Sequence, residues 1–370
     1  MLRRSMTYRH CQPRTRSVTL LARLTNRLSF VLIWCLRQAF SWGLRVPGAL
    51  AIIGVLMRLS IRDRVETIAY LHYGTPWSVI GLLALAAALI SWLQARWNRR
   101  NGSGAPGVLR LASRWGFTGL ALLAALAWWF SDFERGQTAA SVDAEGGPVM
   151  RVVLWNAEGN LRWPGLLEAL HDADPDILLV VESGRISLVR DRLKQVLGEN
   201  RQTWSPGGHM MVASRESMSP DPGSQREGGW WNYDHLNRFV GFTTRFEGRP
   251  VRILGVDVYS RPLNKRSIAA GHAARMGRED DVPTIVLGDF NTPADSVWFE
   301  AMREDFDHAF ELAGDGYSPT WPEPVPLLQI DHVWLERGAF EVVQVQQIDT
   351  GVSDHRMLVV DVQFVEHLNP

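Results

Sequence analysis

Asp289 and Asn291 follow a short apolar run, Ile285–Leu287, bounded by Pro283 and Gly288. The run reads as a buried strand that ends abruptly. At a spacing of two, the carboxylate and the amide can point to one side of an extended backbone. Such a pair suits holding a water or touching a hard cation. A plain turn is the other reading, because Gly, Asp, Asn and Pro are common turn residues. Four further stretches repeat the arrangement of an apolar strand ending in a polar, metal-capable residue. They are Asn156 after Leu154-Trp155, Glu182 after Leu179-Val180-Val181, Asp331 in Gln329-Ile330-Asp331-His332-Val333, and Asp354-His355 in Val352-Ser353-Asp354-His355-Arg356. Singly, Asn156 reads as a turn residue, Glu182 as an acid favoured by a helix dipole, Asp331 as an edge-strand charge and Asp354-His355 as a cap. Five such strand ends in one domain make coincidence the poorer account.

The elements that would position them follow in order. Met150–Trp155 reads as a strand, Pro164–Asp172 as a short helix, Ile177–Val181 as a second buried strand, and Ile186–Leu197 as a helix by its apolar spacing. That alternation is an α/β pattern. Later strands are predicted at Val251–Val258, Thr284–Leu287, Ile330–Leu335, Phe340–Gln346 and Arg356–Val362. Residues 149–370 suffice for one sizeable core.

Formal net charge is zero, but the average hides a split. Up to Ser131 there are 17 Arg, no Lys and two acids, Asp63 and Glu66, a balance of +15; the remainder carries −15. Such an asymmetry assigns the two parts different surroundings. The only cysteines, Cys11 and Cys35, lie in the basic part, so the acidic part has no disulfide and no thiolate metal site. Residues 1–45, with nine Arg and no acid, read as a basic cytoplasmic segment lying on anionic lipid.

Residues 46–131 read as a transmembrane helical region of about three spans. Trp77–Leu93 is the core of a stretch free of Asp, Glu, Lys and Arg, Trp115–Ser131 is charge-free, and Val46–Met57 is shorter. The basic N-terminus and the basic stretch Arg96–Arg114 both favour the cytoplasmic side, which two spans between them satisfy. The third span then carries the rest of the chain outside the cytoplasm. Residues 132–148, polar and Gly-rich, read as a linker to the domain at 149–370.

With Asn156, Glu182, Gly288-Asp289-Phe290-Asn291, Ile330-Asp331-His332, Ser353-Asp354-His355 and Pro319-Thr320-Trp321 in this order, residues 149–365 resemble the endonuclease/exonuclease/phosphatase superfamily of metal-dependent phosphoesterases. The apolar stretches resemble its membrane-anchored bacterial members. The resemblance implies a four-layer α/β sandwich with two mixed sheets and the site at one end. It also implies roles. Glu182, Asn156 and Asp354 would hold the metal; they offer oxygen ligands and no soft ones, which favours Mg²⁺, with Mn²⁺ as the substitute. Asp289 would orient and deprotonate the attacking water, with Asn291 fixing it. His355 would donate to a phosphate oxygen as charge develops, and Asp331 would hold its tautomer.

One position departs from the family pattern. Where relatives usually carry a His, this chain reads Asp257, with Tyr259 on the same face by alternation. A carboxylate repels phosphate, so either Asp257 binds a cation or another donor serves, and Arg261 or Arg266 is the candidate. The leading expectation is a membrane-anchored phosphoesterase acting on a phosphate mono- or diester. A lipid phosphodiesterase of sphingomyelinase type and a non-catalytic binding module are the alternatives. Long duplex nucleic acid is disfavoured by the charge of −15 after Ser131 and only two lysines, Lys194 and Lys265. A basic groove from Arg185, Arg215, Arg261 and Arg266 would reverse that expectation.

Overall fold

The computed structural model describes residues 46–100, 108–134, 147–159, 164–184, 193–194, 197–198, 202–207, 209–222, 237–261, 264–279 and 281–365. The basic segment 1–45, most of the linker and most of the expected helix Ile186–Leu197 lie outside the described residues, as does Arg185. The chain divides into two compact units, 1–50 with 82–121 and 51–81 with 122–370.

The expected apolar stretches are helical: α1 (Val46–Ile61), then α2 (Ala69–Tyr73), α3 (Trp77–Arg100) and α4 (Val108–Asp132). One of them, Trp77–Arg100, is long and apolar enough to cross a membrane; Val46–Ile61 is apolar but shorter. In the smaller unit, Trp92 meets the Trp115 ring edge-on at 5.6 Å and carries the Arg114 guanidinium 5.5 Å from its centroid.

The larger unit holds the strands. In chain order they are β1 (Phe133–Glu134), β2 (Met150–Asn156), β3 (Ile177–Val181), β4 (Gln202–Gly207), β5 (Met210–Ser214), β6 (Ser219–Pro220), β7 (Arg238–Phe246), β8 (Arg249–Asp257), β9 (Thr284–Asp289), β10 (Phe306–His308), β11 (Gly316–Tyr317), β12 (Asp331–Glu336), β13 (Phe340–Ile348) and β14 (Met357–Phe364). Among the described residues, twelve of them form two six-stranded sheets, ordered β13-β14-β2-β3-β5-β4 and β10-β12-β9-β8-β7-β6. Each sheet has a parallel pair near its middle, β2 with β3 and β8 with β9, and antiparallel neighbours elsewhere. At the start of the expected linker, β1 pairs with β11.

Both sheets are covered on both faces, so their central strands read as continuous apolar runs rather than alternations. All five residues of β3 are buried. Between the sheets pack Val152, Leu154, Leu179, Val240, Ile253, Leu287 and their neighbours. On the outer face of the first sheet lie Leu170 and Ala173 of α5 (Pro164–Ala173), against Val153, Trp155 and Val180. On the outer face of the second lie Ala269, Ala270 and Ala273 of α6 (Arg266–Gly277), against Leu254, Val256 and Val286. The result is a four-layer α/β sandwich with two mixed sheets.

Candidate active site

Four strand ends of the second sheet meet in one row. Arg238 on β7 faces Asp257 on β8, Asp257 faces Asp289 on β9, and Asp289 faces Asp331 on β12. In-register neighbours point to the same face, so one guanidinium and three carboxylates stand abreast. Gly288 makes this register attainable. Its φ is +157°, and a Cβ there would lie 1.8 Å from the Val256 carbonyl oxygen of the parallel neighbour. Any larger residue would push β9 off β8 and break the row.

Asp289, 1 % exposed, is held from two sides. Its Oδ1 accepts the backbone N–H of Asn291 at 2.8 Å, and its Oδ2 accepts the side-chain amides of Asn291 at 3.1 Å and Asn156 at 3.0 Å. Asn291 also donates to the Val258 carbonyl at 2.7 Å. Burial pushes the Asp289 carboxyl well above the usual carboxylate range; Asp331 and Asp257 add to that and His355 opposes it.

Beside it, His355 Nδ1 bonds Asp331 Oδ2 at 2.8 Å, and the same oxygen accepts Thr320 Oγ1 at 2.6 Å. Burial works against charge on the ring, but Asp331's charge and hydrogen bond, with Asp289's charge, outweigh it and push His355 up to about 10. Trp321 Nε1 donates to Asp354 Oδ2 at 2.8 Å. Thr320 and Trp321 thus brace the two carboxylates. Ser353 Oγ donates to the Asn156 carbonyl at 2.7 Å and accepts His355 N–H at 3.1 Å, tying this turn to the end of β2.

On the other flank the partner of Asp257 is Arg238, at 2.7 Å. No local pattern in the sequence marks Arg238. It lines a cavity with Glu182, His209, Asp257 and Tyr259. His209, also missed, sits in the β4–β5 hairpin turn with Nδ1 2.9 Å from the Gly184 carbonyl. Arg261, exposed, lies with its guanidinium 5.2 Å from the centre of the Tyr259 ring. Arg266 departs from its expected place. It is 6 % exposed and donates to the carbonyls of Asn291 at 2.6 Å and Ser260 at 3.2 Å, so it braces the loop beneath the site. It opens an Ala-rich helix most of whose residues are buried, and its bonds to the Asn291 and Ser260 carbonyls hold the guanidinium inside. Of the residues of the conjectured basic groove, Arg185 lies outside the described residues, Arg215 pairs with Asp174 at 2.7 Å and Asp176 at 2.5 Å, and Arg266 is buried.

Seven non-glycine residues among those described have positive φ, and four of them surround this site: Glu158 (+46°), Glu182 (+50°), His209 (+70°) and Asn291 (+46°). Backbone held in that region costs on the order of 1 kcal/mol or more per residue and gathers where function over-determines it. Asp331 Oδ1 and Asp354 Oδ1 are buried and lack a hydrogen-bond partner among the described residues. Orphaned carboxylate oxygens in an oxygen-rich setting fit a hard divalent cation. Among the described residues, Asp289, Asp331 and His355 bring ligand atoms all within 4.8 Å of one another. In that group His355 already uses Nδ1 on Asp331. Of the expected oxygen ligands, Asn156 uses Oδ1 on the Glu158 N–H at 3.0 Å and Nδ2 on Asp289, while Glu182 and Asp354 line two cavities that both include Glu158.

The chain is similar to a solved structure of humanized D. rerio TDP2 (16 % identity, 58 % of this chain and 99 % of that one, TM-score 0.46). It is also similar to an endonuclease/exonuclease/phosphatase family protein from Leptotrichia buccalis (14 %, 58 % and 100 %, TM-score 0.46). The human Nocturnin catalytic domain is a further match (18 %, 59 % and 94 %, TM-score 0.43). No curated protein matches the sequence. The profile of the Endonuclease/Exonuclease/phosphatase family matches residues 153–355, from the second sheet-forming strand to the site histidine. The chain therefore belongs to the endonuclease/exonuclease/phosphatase family, and with it to the metal-dependent phosphoric ester hydrolases.

Proposed function

We propose that the chain is a membrane-anchored, Mg²⁺-dependent phosphoesterase that hydrolyses a phosphate mono- or diester by attack of water. The observation that carries the reading is the buried Asp289 held by both Asn156 and Asn291 between two further in-register aspartates. Asp289 orients and deprotonates the water, and Asn291 fixes the carboxylate. His355, held by Asp331, donates to a non-bridging phosphate oxygen as charge develops there. Glu182, Asn156 and Asp354 would hold the ion, with Mn²⁺ able to substitute. When bound, it neutralises charge on the phosphate and the leaving group. Arg238, locked by Asp257 and accompanied by His209 and Tyr259, supplies the anion contact that the Asp257 departure removes. Arg261 stands nearby, over Tyr259.

The chain's 46–131 region is the membrane anchor, crossing about three times, with the catalytic domain at 149–370 outside the cytoplasm. Support comes from the apolar helix Trp77–Arg100 and from Arg placement on both sides of it. A reporter fused after Pro370 that works only in the cytoplasm would overturn this topology. The substrate is a small phosphoester or a lipid headgroup in preference to long duplex nucleic acid, because a net −15 after Ser131 repels a polyanion. A lipid phosphodiester is favoured as the second reading by contacts between residues 58–73, next to the apolar helices, and the loop bearing Asn291.

The test uses the full chain in detergent micelles with 4-nitrophenyl phosphate, bis(4-nitrophenyl) phosphate, sphingomyelin vesicles and duplex DNA, each with Mg²⁺ and with excess chelator. Metal-dependent turnover of a small or lipid ester is expected. Turnover of DNA in preference to the others, at low and physiological salt alike, would contradict the substrate reading.

A further inference from the structure

Residues 62–76 connect the first apolar helix to the helix Trp77–Arg100, and they lie against the segment that carries Asn291. Asp63 is 0 % exposed. It accepts hydrogen bonds from Tyr73 Oη at 2.9 Å, from the Val297 N–H at 3.1 Å and from Ser296 Oγ. One partner comes from its own loop and two from the chain just beyond Asn291. A buried carboxylate is costly unless several donors meet it, so this one is built in deliberately. The Tyr73 ring reaches the other side of the same segment. It lies 5.2 Å from the Arg266 guanidinium, whose Nε donates to the Asn291 carbonyl at 2.6 Å. Two outer contacts frame these: Arg58 pairs with Asp295 at 2.6 Å, and Ser267 Oγ donates to Glu66.

We infer that residues 62–76 are a working part of the active site, and that Asp63 is its positioning residue. Asp63 fixes Ser296 and Val297, while Tyr73 fixes Arg266. Together they pin the segment 291–297 from both ends. That segment contains Asn291, whose left-handed backbone aims its N–H at Asp289 Oδ1. Without the pin, Asn291 relaxes from its strained φ, and Asp289 loses two of its three hydrogen bonds. The effect on the reaction rests on the phosphoesterase reading above; the pinning itself does not. In the chain this loop lies between the apolar helices Val46–Ile61 and Trp77–Arg100.

A merely structural contact would cost stability and leave the folded enzyme's turnover alone. The experiment separates these with the full chain in lipid nanodiscs, comparing wild type, Asp63→Asn, Ser296→Ala and the double variant. Tyr73→Phe, which removes one hydroxyl and keeps the ring, serves if Asp63→Asn does not fold. Arg151→Ala is the control, because it breaks the Arg151–Asp361 pair at the far end of β2. Backbone amide exchange over 290–297 is read first, then kcat and KM for bis(4-nitrophenyl) phosphate with Mg²⁺. Asp63→Asn is expected to speed exchange over 290–297 by about tenfold or more. It should lower kcat on the order of 10- to 10²-fold with KM within about twofold of wild type. The double variant should lose little more than Asp63→Asn alone, since both act on one contact. Arg151→Ala should leave kcat unchanged. Unaltered exchange over 290–297 in both Asp63→Asn and Tyr73→Phe would overturn the inference, as would a loosened segment with wild-type kcat. A wild-type chain with no turnover of any ester would instead remove the phosphoesterase reading, and the exchange result would still decide whether the loop pins the segment.

Discussion

On either side of Asp289 the second sheet repeats one device with different chemistry. Each flank is an in-register aspartate carrying its own cation: Asp331 with His355 at 2.8 Å, and Asp257 with Arg238 at 2.7 Å. A histidine can give up a proton and strengthen its hydrogen bond as charge develops, whereas an arginine remains charged throughout and binds anions with a planar fork. The first flank thus suits a donor that matters most in the transition state. The second suits a contact made equally to bound substrate and transition state. On the proposed reading, a phosphate can approach because the Asp257 carboxylate is paired with Arg238, its neighbour on β7.

Kinetics can break this comparison. His355→Gln should lower kcat by about 10²- to 10³-fold with little change in KM, the signature of a lost transition-state donor. Steady-state kinetics on bis(4-nitrophenyl) phosphate would check it, and a pure KM effect would erase the distinction between flanks. Asp331→Asn should act through His355 and cost less, about 10- to 10²-fold in kcat. Because the two residues form one unit, the His355→Gln, Asp331→Asn double variant should be scarcely worse than His355→Gln alone. On the opposite flank, Arg238→Ala should raise KM by about tenfold while kcat changes less, and Arg238→Lys should recover only part of the loss because the fork is gone. A collapse of kcat on Arg238→Ala would place the guanidinium in the chemistry itself.

The smallest effect concerns what lies under the Asp331 flank. His332, next in the strand, bonds the Thr292 carbonyl at 2.8 Å and shares a 3.0 Å contact with His308. Burial, aided by Arg303 for His308 and by His308 for His332, holds both rings down at about 3. An unfolded-chain histidine titrates near ~6.5, so protonation favours the unfolded chain. Stability is full above ~6.5 and falls toward pH 3, by about 1.4 kcal/mol per pH unit for each ring between those limits. Thermal unfolding between pH 7 and pH 5 should show that loss, and His308→Asn should lessen its slope.

Much of this was legible in the sequence. Ile177–Val181 is a strand residue for residue, and Met150–Asn156 and Thr284–Asp289 extend the expected strands only to include their polar ends. Strands buried on both faces announce themselves as apolar runs, and the polar residue that ends each run is conspicuous. What escaped was of another kind. In β7, Gly241 and two threonines interrupt the pattern, so neither the strand nor the register of Arg238 on Asp257 was visible. The hairpin that presents His209 is bounded by Ser, Pro and Gly, which read as loop. Helix α6 is rich in Ala and Gly and lacks a distinct apolar stripe, which left Arg266 to be judged by the ordinary preference of arginine for the surface. The Asp63 contacts span 233 residues of chain, a separation no local pattern encodes.

On the proposed reading Asp289, set between these flanks, activates water in a metal-dependent phosphoester hydrolysis. Its most direct test is turnover of bis(4-nitrophenyl) phosphate by the full chain and by Asp289→Asn, each with Mg²⁺ and with excess chelator, at matched folding. The wild type should be active only with metal, and Asp289→Asn should fall by at least ~10²-fold in kcat. Undiminished turnover in excess chelator, or in folded Asp289→Asn, would rule out this role for Asp289.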